Sequence, residues 1–133
     1  MDTGPLVALL NRREARHDWI KKQLTEIEPP LLTCEAVLSE ACFLLRGVHG
    51  GQAAVMAALS SDLVQIAFSL EKQAPNVQEL MERFSSVPMS LADACVVRMV
   101  ETLPGSSVLT FDGDFLIYRK NRNEAISVML PEM

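Results

Sequence analysis

Four acidic residues of this sequence stand where their carboxylates could act on one substrate. Asp2 precedes a predicted helix, Asp93 falls in the first turn of another helix, and Asp112 follows a strand-like apolar run. Glu40 interrupts an otherwise apolar helical face. Clustered carboxylates repel each other unless a cation lies between them, and a hard divalent ion such as Mg²⁺ or Mn²⁺ is the usual partner. Such an ion can activate water and stabilise the charge that develops on a phosphate during hydrolysis.

Each acid also has an ordinary structural interpretation. Asp93 could cap its helix, Asp112 and its neighbour Asp114 could be turn residues, and Glu40 could lie in solvent at the helix rim. Asp2 could belong to a disordered terminus. The sequence favours the joint interpretation, because all four acids fall at element ends or on an apolar face. They also account for most of the formal net charge of −5.

The elements that would position these acids follow from the hydrophobic pattern. Apolar residues at helical spacing predict helices after Gly4-Pro5 and over residues 14–27, 34–48, 52–59, 75–84 and 90–103. Short apolar runs predict strands over residues 31–33, 64–68, 107–111 and 125–130. Since helices alternate with strands, we expect an α/β domain with a central parallel sheet flanked by helices. The carboxyl ends of parallel strands share one edge, which Asp2, Asp93 and Asp112 can all reach.

Composition limits the class of protein. The chain has 133 residues, 49% of them apolar, and shows no linker or repeat, so we expect a single domain over residues 1–133. Three cysteines without a CxxC pair favour a reduced, cytoplasmic location. No apolar run reaches the roughly 18 residues of a membrane span, and the start lacks a signal peptide's basic region. Because the chain is acidic, bulk attraction to nucleic acid is excluded and any such contact must be local.

Four segments of the chain resemble the PIN-domain ribonucleases, especially the small VapC-like toxins of prokaryotic type II toxin–antitoxin pairs. They are Asp2-Thr3-Gly4-Pro5-Leu6, residues 33–45 with Glu40, Met89-Ser90-Leu91-Ala92-Asp93-Ala94, and Leu109-Thr110-Phe111-Asp112-Gly113-Asp114-Phe115. Their order and spacing agree along essentially the whole chain, and the last two are the most specific. The first strand departs from the pattern, because almost nothing precedes Asp2. Either that strand is very short or the natural chain begins upstream of Met1.

The resemblance implies a PIN-like three-layer fold and metal-dependent endoribonuclease activity with Mg²⁺ or Mn²⁺ as cofactor. It implies four catalytic acids, namely Asp2, Glu40, Asp93 and Asp112. Asp2, Asp93 and Asp112 would hold the metal, and the metal-activated water would hydrolyse RNA phosphodiester bonds. The resemblance further implies that Asp114 is an auxiliary acid and that the hydroxyl groups of Thr3 and Thr110 hold a carboxylate or a metal-bound water. The resemblance also implies an RNA substrate, a small antitoxin as protein partner, and a homodimer.

Basic and aromatic residues near these segments could contact RNA. Candidates for phosphate contacts are Arg12, Arg119, Lys120 and Arg122, and Arg13 and Arg16 could line the same cleft. Trp19 and Tyr118 could stack on RNA bases, although packing is the commoner role for Trp19. Each of these short basic runs could equally be an ordinary solvated surface.

Two other functions stay open at this point. A PIN-like domain could bind a partner without cutting RNA. A Mg²⁺-dependent phosphatase of the haloacid dehalogenase type also places an Asp at a strand end, but its motif needs a second acid two residues later. Gly4 occupies that position after Asp2, so the phosphatase is disfavoured.

Overall fold

The computed structural model describes residues 1–132 and shows an α/β fold of short elements. The helices are α1 (Thr3–Leu10), α2 (His17–Leu24), α3 (Glu35–Leu44), α4 (Gly51–Ser60), α5 (Leu70–Arg83) and α6 (Leu91–Thr102). The strands are β1 (Leu31–Thr33), β2 (Val64–Ile66), β3 (Val108–Leu109), β4 (Arg119–Lys120), β5 (Glu124–Ala125) and β6 (Val128–Met129). A 3₁₀ turn spans Gly113–Leu116. The predicted α/β fold class is confirmed.

The central layer consists of two parallel strand pairs that are joined by the first two residues of the chain. β1 pairs with β2, and β3 pairs with β6, both in parallel register. The amino nitrogen of Met1 donates to the Leu32 carbonyl at 2.6 Å, and the amide of Asp2 donates to the Leu109 carbonyl at 2.9 Å. The order across the layer is therefore β2, β1, Met1–Asp2, β3, β6. This order places Asp2 between β1 and β3, at the centre of the layer.

Helix α6 carries much of the core and ends beside the site. Its buried residues lie on nearly every face and include Ala94, Val97 and Val100. A helix that is apolar all round must be enclosed by other elements, and α5 and α3 pack against it. Burial of α6 along its length fixes the position of its first turn, where Asp93 lies.

Some predicted bounds differ from the observed ones. The predicted helix over residues 75–84 begins earlier, at Leu70, because the Ser69 hydroxyl accepts from the Lys72 amide and starts the helix there. The helix predicted over residues 14–27 is limited to α2. An antiparallel pair, β4 with β5, was not predicted from the sequence. Within residues 1–132, no helix combines the length and the apolar character that a membrane span requires.

Candidate active site

Asp2 is the buried member of the acidic set. Its Oδ1 accepts from the Thr3 amide at 2.8 Å, which caps helix α1, and its Oδ2 accepts from the Thr110 hydroxyl at 2.7 Å. Only 7% of Asp2 is exposed. Because both carboxylate oxygens are bonded and the backbone is held by β3, this side chain has one fixed orientation.

Thr3 connects Asp2 to Glu40. The Thr3 hydroxyl donates to Glu40 Oε2 at 2.8 Å, across the contact between α1 and α3. Thr3 is buried, whereas Glu40 is exposed. One residue therefore bonds two carboxylates, the first through its amide and the second through its hydroxyl.

Thr110 connects Asp2 to the loop that carries Asp112. Its fully buried hydroxyl donates to Asp2 and accepts from the Asp112 amide at 2.9 Å. Asp112 Oδ1 accepts from the Asp114 amide at 2.9 Å and so caps the 3₁₀ turn. Asp112 is therefore a turn residue, as its ordinary interpretation predicts, and it is also a neighbour of Asp2. The two interpretations are compatible.

Phe111 holds the same loop from its other side. Its ring meets the Trp19 ring edge-on at 5.7 Å between centroids, and the Arg16 guanidinium lies 5.3 Å from its centroid. A Cβ added at Gly4 would lie 3.0 Å from the Phe111 ring. Gly4 thus permits the close approach that lets Phe111 pack beside the start of α1.

Asp93 is positioned by a contact that the sequence analysis missed. Ser90 caps α6 by accepting from the Asp93 amide at 3.0 Å, which leaves the Asp93 carboxylate without a capping role. Asp93 Oδ2 accepts from the Tyr118 hydroxyl at 2.8 Å. Tyr118 is 0% exposed and packs edge-on against Phe84 and Phe115. The prediction that Tyr118 could stack on RNA bases is wrong, because its ring is enclosed by the core.

Asp2, Asp93, Asp112 and Asp114 share one electrostatic neighbourhood. Burial raises the pKa of Asp2, the hydrogen bonds from Thr110 and Thr3 offset part of that rise, and the charge of Asp93 adds to it. The pKa of Asp114 is also raised, by desolvation and by the charges of Asp112 and Asp93. These mutual effects require the carboxylates to lie near one another.

The donor set suits a hard divalent cation. The ion pairs found within residues 1–132 join Arg83 to Glu79 and Arg98 to Glu101, so they leave the site carboxylates without a basic side chain. No three acidic, histidine or cysteine side chains of the described residues come close enough to surround one ion. Mg²⁺ commonly keeps several waters and takes only one or two carboxylates, so the residues present fit that ion without a closed cage.

The predicted RNA-contacting residues are less closely tied to the acids. Arg119 donates to the backbone carbonyls of the 3₁₀ turn and of Tyr118, so its guanidinium is engaged within the chain. Lys120 lies on β4, and Arg12 and Arg122 are exposed. Arg16 is the basic residue that contacts the loop of Asp112, through Phe111.

Comparison with known families agrees with this geometry. A family profile described as PIN domain matches residues 1–121, which include all four acids and the residues that bond to them. No curated protein matches the chain.

Proposed function

Because the chain belongs to the PIN domain family, whose members are generally nucleases, we propose that it is a Mg²⁺- or Mn²⁺-dependent endoribonuclease of the VapC-like toxin type. Asp2, Glu40, Asp93 and Asp112 are the proposed catalytic acids. The substrate is RNA, which is cut by hydrolysis of a phosphodiester bond.

One observation supports this proposal above the others. A continuous set of hydrogen bonds runs from Glu40 through Thr3 to Asp2, and from Asp2 through Thr110 to Asp112. Two buried threonines thereby hold the carboxylates of Glu40 and Asp2 and the backbone amide of Asp112. Carboxylates held close together around buried hydroxyls, with no basic side chain beside them, cost electrostatic free energy. Neither solubility nor core packing requires such an arrangement, whereas a cation site does.

The carboxylates and their neighbours have distinct parts in this proposal. Asp2, Asp93 and Asp112 would hold the ion, directly or through its bound waters, and the ion would supply water activation and offset negative charge on the phosphate. Thr110 and Thr3 fix the direction of the Asp2 carboxylate, and Tyr118 fixes that of Asp93. Asp2 gains from a nearby cation, because its burial disfavours the charged form.

An antitoxin-like partner is also proposed, on the evidence of apolar residues around the acids. Phe43 and Leu44 follow Glu40 on α3 and are 61% and 55% exposed. Leu116 and Ile117 follow Asp114 and are each 54% exposed. A protein segment with apolar side chains and a basic group would cover both surfaces and offset the acids. A homodimer stays a prediction that light scattering can test.

Cleavage of labelled single-stranded RNA tests the nuclease proposal. The wild-type protein is assayed with Mn²⁺ and with EDTA, beside Asp93→Asn and the matched control Asp62→Asn. Asp62 is exposed, lies outside the site and has a φ of 63°, which Asn also adopts readily. Both variants remove one negative charge, so only the position differs.

We expect cleavage by wild type and Asp62→Asn with Mn²⁺, and none with EDTA or with Asp93→Asn. Cleavage by Asp93→Asn at the wild-type rate would refute the assigned role of that residue. If Mn²⁺ binds by calorimetry but no RNA is cut by any of the proteins, the partner-binding interpretation replaces the nuclease.

A further inference from the structure

An open cleft lies beside the acids, between the turn that joins α1 to α2 and the loop that follows β3. Its volume of about 350 Å³ falls in the range usual for small-molecule sites, about 300–1,000 Å³. Its apolar lining is formed by Gly4 and Val7 of α1, Leu44 of α3 and Phe111, and residues 14–16 line it from the turn. The cleft therefore has room for a two-ring aromatic group, since one water takes only ~30 Å³ in the liquid.

The cleft adjoins the acidic site on two sides. Gly4 follows Thr3, which bonds two of the site carboxylates. Phe111 immediately precedes Asp112. Because neighbouring Cα atoms of a chain are about 3.8 Å apart, the lining of the cleft begins one residue away from the site. A nucleotide whose phosphate lies at the acids can therefore place its base in the cleft.

One wall of the cleft carries two charged side chains of opposite sign. Glu14 and Arg16 both line it, and the ion pairs found within residues 1–132 involve neither of them. Arg16 is half-buried, with its guanidinium 5.3 Å from the centroid of the Phe111 ring. The cleft thus combines a carboxylate, a guanidinium and an aromatic ring, which are groups that bind the unstacked bases of single-stranded RNA.

The turn that carries these charged residues is ordered by its own hydrogen bonds. The side-chain oxygen of Asn11 accepts from the Arg13 amide at 3.1 Å, and the Asn11 carbonyl accepts from the Glu14 amide at 3.1 Å. The Glu14 carbonyl accepts from the His17 amide at 3.1 Å, and His17 Nδ1 donates to the Ala8 carbonyl at 2.6 Å. Because the turn is fixed before a ligand arrives, less conformational entropy is lost on binding.

The charge of the turn favours RNA over a basic protein segment as the occupant. Arg12 and Arg13 are exposed on the same turn, so together with Arg16 it carries three cations against the single carboxylate of Glu14. These cations can contact the phosphates that flank a bound base. A basic protein segment, which the acids attract, is repelled at this turn.

We propose that the cleft binds a guanine base next to the phosphate that is cut, an assignment that rests on the nuclease function proposed above. The two carboxylate oxygens of Glu14 accept from the adjacent N1–H and N2–H groups of guanine, and the Arg16 guanidinium donates to O6 or N7. The base packs against Phe111 and Leu44. Adenine, cytosine and uracil each present only one hydrogen-bearing nitrogen on the corresponding edge, so they bind less tightly.

Binding of the four ribonucleoside 5′-monophosphates tests this site without any cleavage, because they contain no phosphodiester bond. The backbone amide shifts of Gly4 and Phe111 are followed by NMR, with Mg²⁺ present, in wild type, Glu14→Gln and the matched control Glu28→Gln. Glu28 is exposed and lies outside the lining of the cleft. We expect wild type and the control to bind guanosine monophosphate roughly 10-fold more tightly than the other three, and Glu14→Gln to lose that preference.

Two results of this titration would overturn the proposal. The first is equal affinity for the four nucleotides, or no shift at Gly4 and Phe111, and a protein segment would then be the occupant to test. The second is a preference for guanosine monophosphate that Glu14→Gln retains in full, since the carboxylate would then take no part in recognition.

Cleavage of single-stranded RNAs that contain one guanosine separates this site from the nuclease proposal. Wild type and Glu28→Gln should cut beside the guanosine, and Glu14→Gln should cut without that preference. Selective binding of guanosine monophosphate with no cleavage of any RNA would refute the nuclease and keep the guanine-binding cleft. Cleavage by wild type that ignores the guanosine would refute the guanine site and keep the nuclease.

Discussion

Replacement of Tyr118 by Phe should loosen Asp93 while leaving the core almost intact. The substitution removes the hydroxyl that donates to Asp93 Oδ2 at 2.8 Å. The ring keeps its edge-on contacts with Phe84 and Phe115, at centroid distances of 5.3 and 5.2 Å. Any change in stability therefore reports the hydrogen bond and not a cavity.

The expected cost follows from the chemistry of this bond. A hydrogen bond to a charged group contributes about 1.5–3 kcal/mol to stability. Asp93 is only half-buried, so water can replace part of the lost donor, and we expect a loss near the lower end, about 1.5 kcal/mol. For a chain of this length that corresponds to a fall in Tm of roughly 5 °C.

Urea unfolding of four proteins measures this bond directly. They are wild type, Tyr118→Phe, Asp93→Asn and the double variant, with Ser107→Ala as a control that removes an exposed hydroxyl bonded to Ser127. Asn at position 93 keeps an oxygen that accepts from Tyr118, so this variant should stay folded. The coupling free energy between positions 93 and 118 should be about 1 kcal/mol, and Ser107→Ala should change stability by less than about 0.5 kcal/mol.

RNA cleavage distinguishes Tyr118, which positions a proposed metal ligand, from Asp93, which is that ligand. Tyr118→Phe should lower RNA cleavage by roughly 10–100-fold, the usual cost of losing a group that orients a metal ligand, whereas Asp93→Asn should abolish it. A Tyr118→Phe protein as stable as wild type, with no coupling to position 93, would refute the reasoning. The Tyr118 hydroxyl would then neither stabilise the fold nor position Asp93.

Three further outcomes are expected. Asp2→Asn should raise stability at pH 7 by roughly 0.5–2 kcal/mol and abolish cleavage. Burial raises the pKa of Asp2 in the folded protein above its ordinary 3.8. The free energy of unfolding of the wild type should therefore fall as pH rises through this folded-state pKa. Urea unfolding at a series of pH values should show this fall in the wild type and not in Asp2→Asn. Thr110→Val should lower the free energy of unfolding in urea by more than Thr33→Val does, and it should also reduce RNA cleavage. The reason is that the Thr110 hydroxyl bonds both Asp2 and Asp112, whereas the Thr33 hydroxyl bonds only the Met1 carbonyl. Tyr118 is the single tyrosine, and burial, with the bond to Asp93, raises its pKa. The absorbance of the Tyr118 phenolate should therefore appear only as the protein unfolds. The free energy of unfolding should fall as pH rises above about 10, because the Tyr118 hydroxyl loses its proton in the unfolded chain at a lower pH than in the folded protein.

The sequence predicts those parts of the site that local patterns encode. Ser90 and Asp93 form a recognisable helix start, and the apolar run before Asp112 gives the strand that delivers it. These signals are local, because capping and alternation depend on residues a few positions apart. The alternation of helices and strands follows from them.

The sequence does not reveal the contacts that depend on packing between distant residues. Tyr118 meets Asp93 across 25 positions, and no spacing rule relates them. The start of α5 was misplaced for a different reason. Proline is typical of a first helical turn, so Pro75 suggests a start, whereas the Ser69 cap begins the helix earlier and leaves Pro75 inside it. Strands of two residues, such as β4, are too short for alternation to be detected.

The packing of Phe111 provides an optical signal from the loop that carries Asp112. Trp19 is the only tryptophan of the chain, and its ring contacts the residue next to Asp112. Its fluorescence therefore depends on a single, known environment, with the Arg16 cation on the same aromatic ring. Any displacement of that loop should change the emission of Trp19 without a label. Titration with Mg²⁺, which does not itself quench indole, can thus be followed on the unmodified protein.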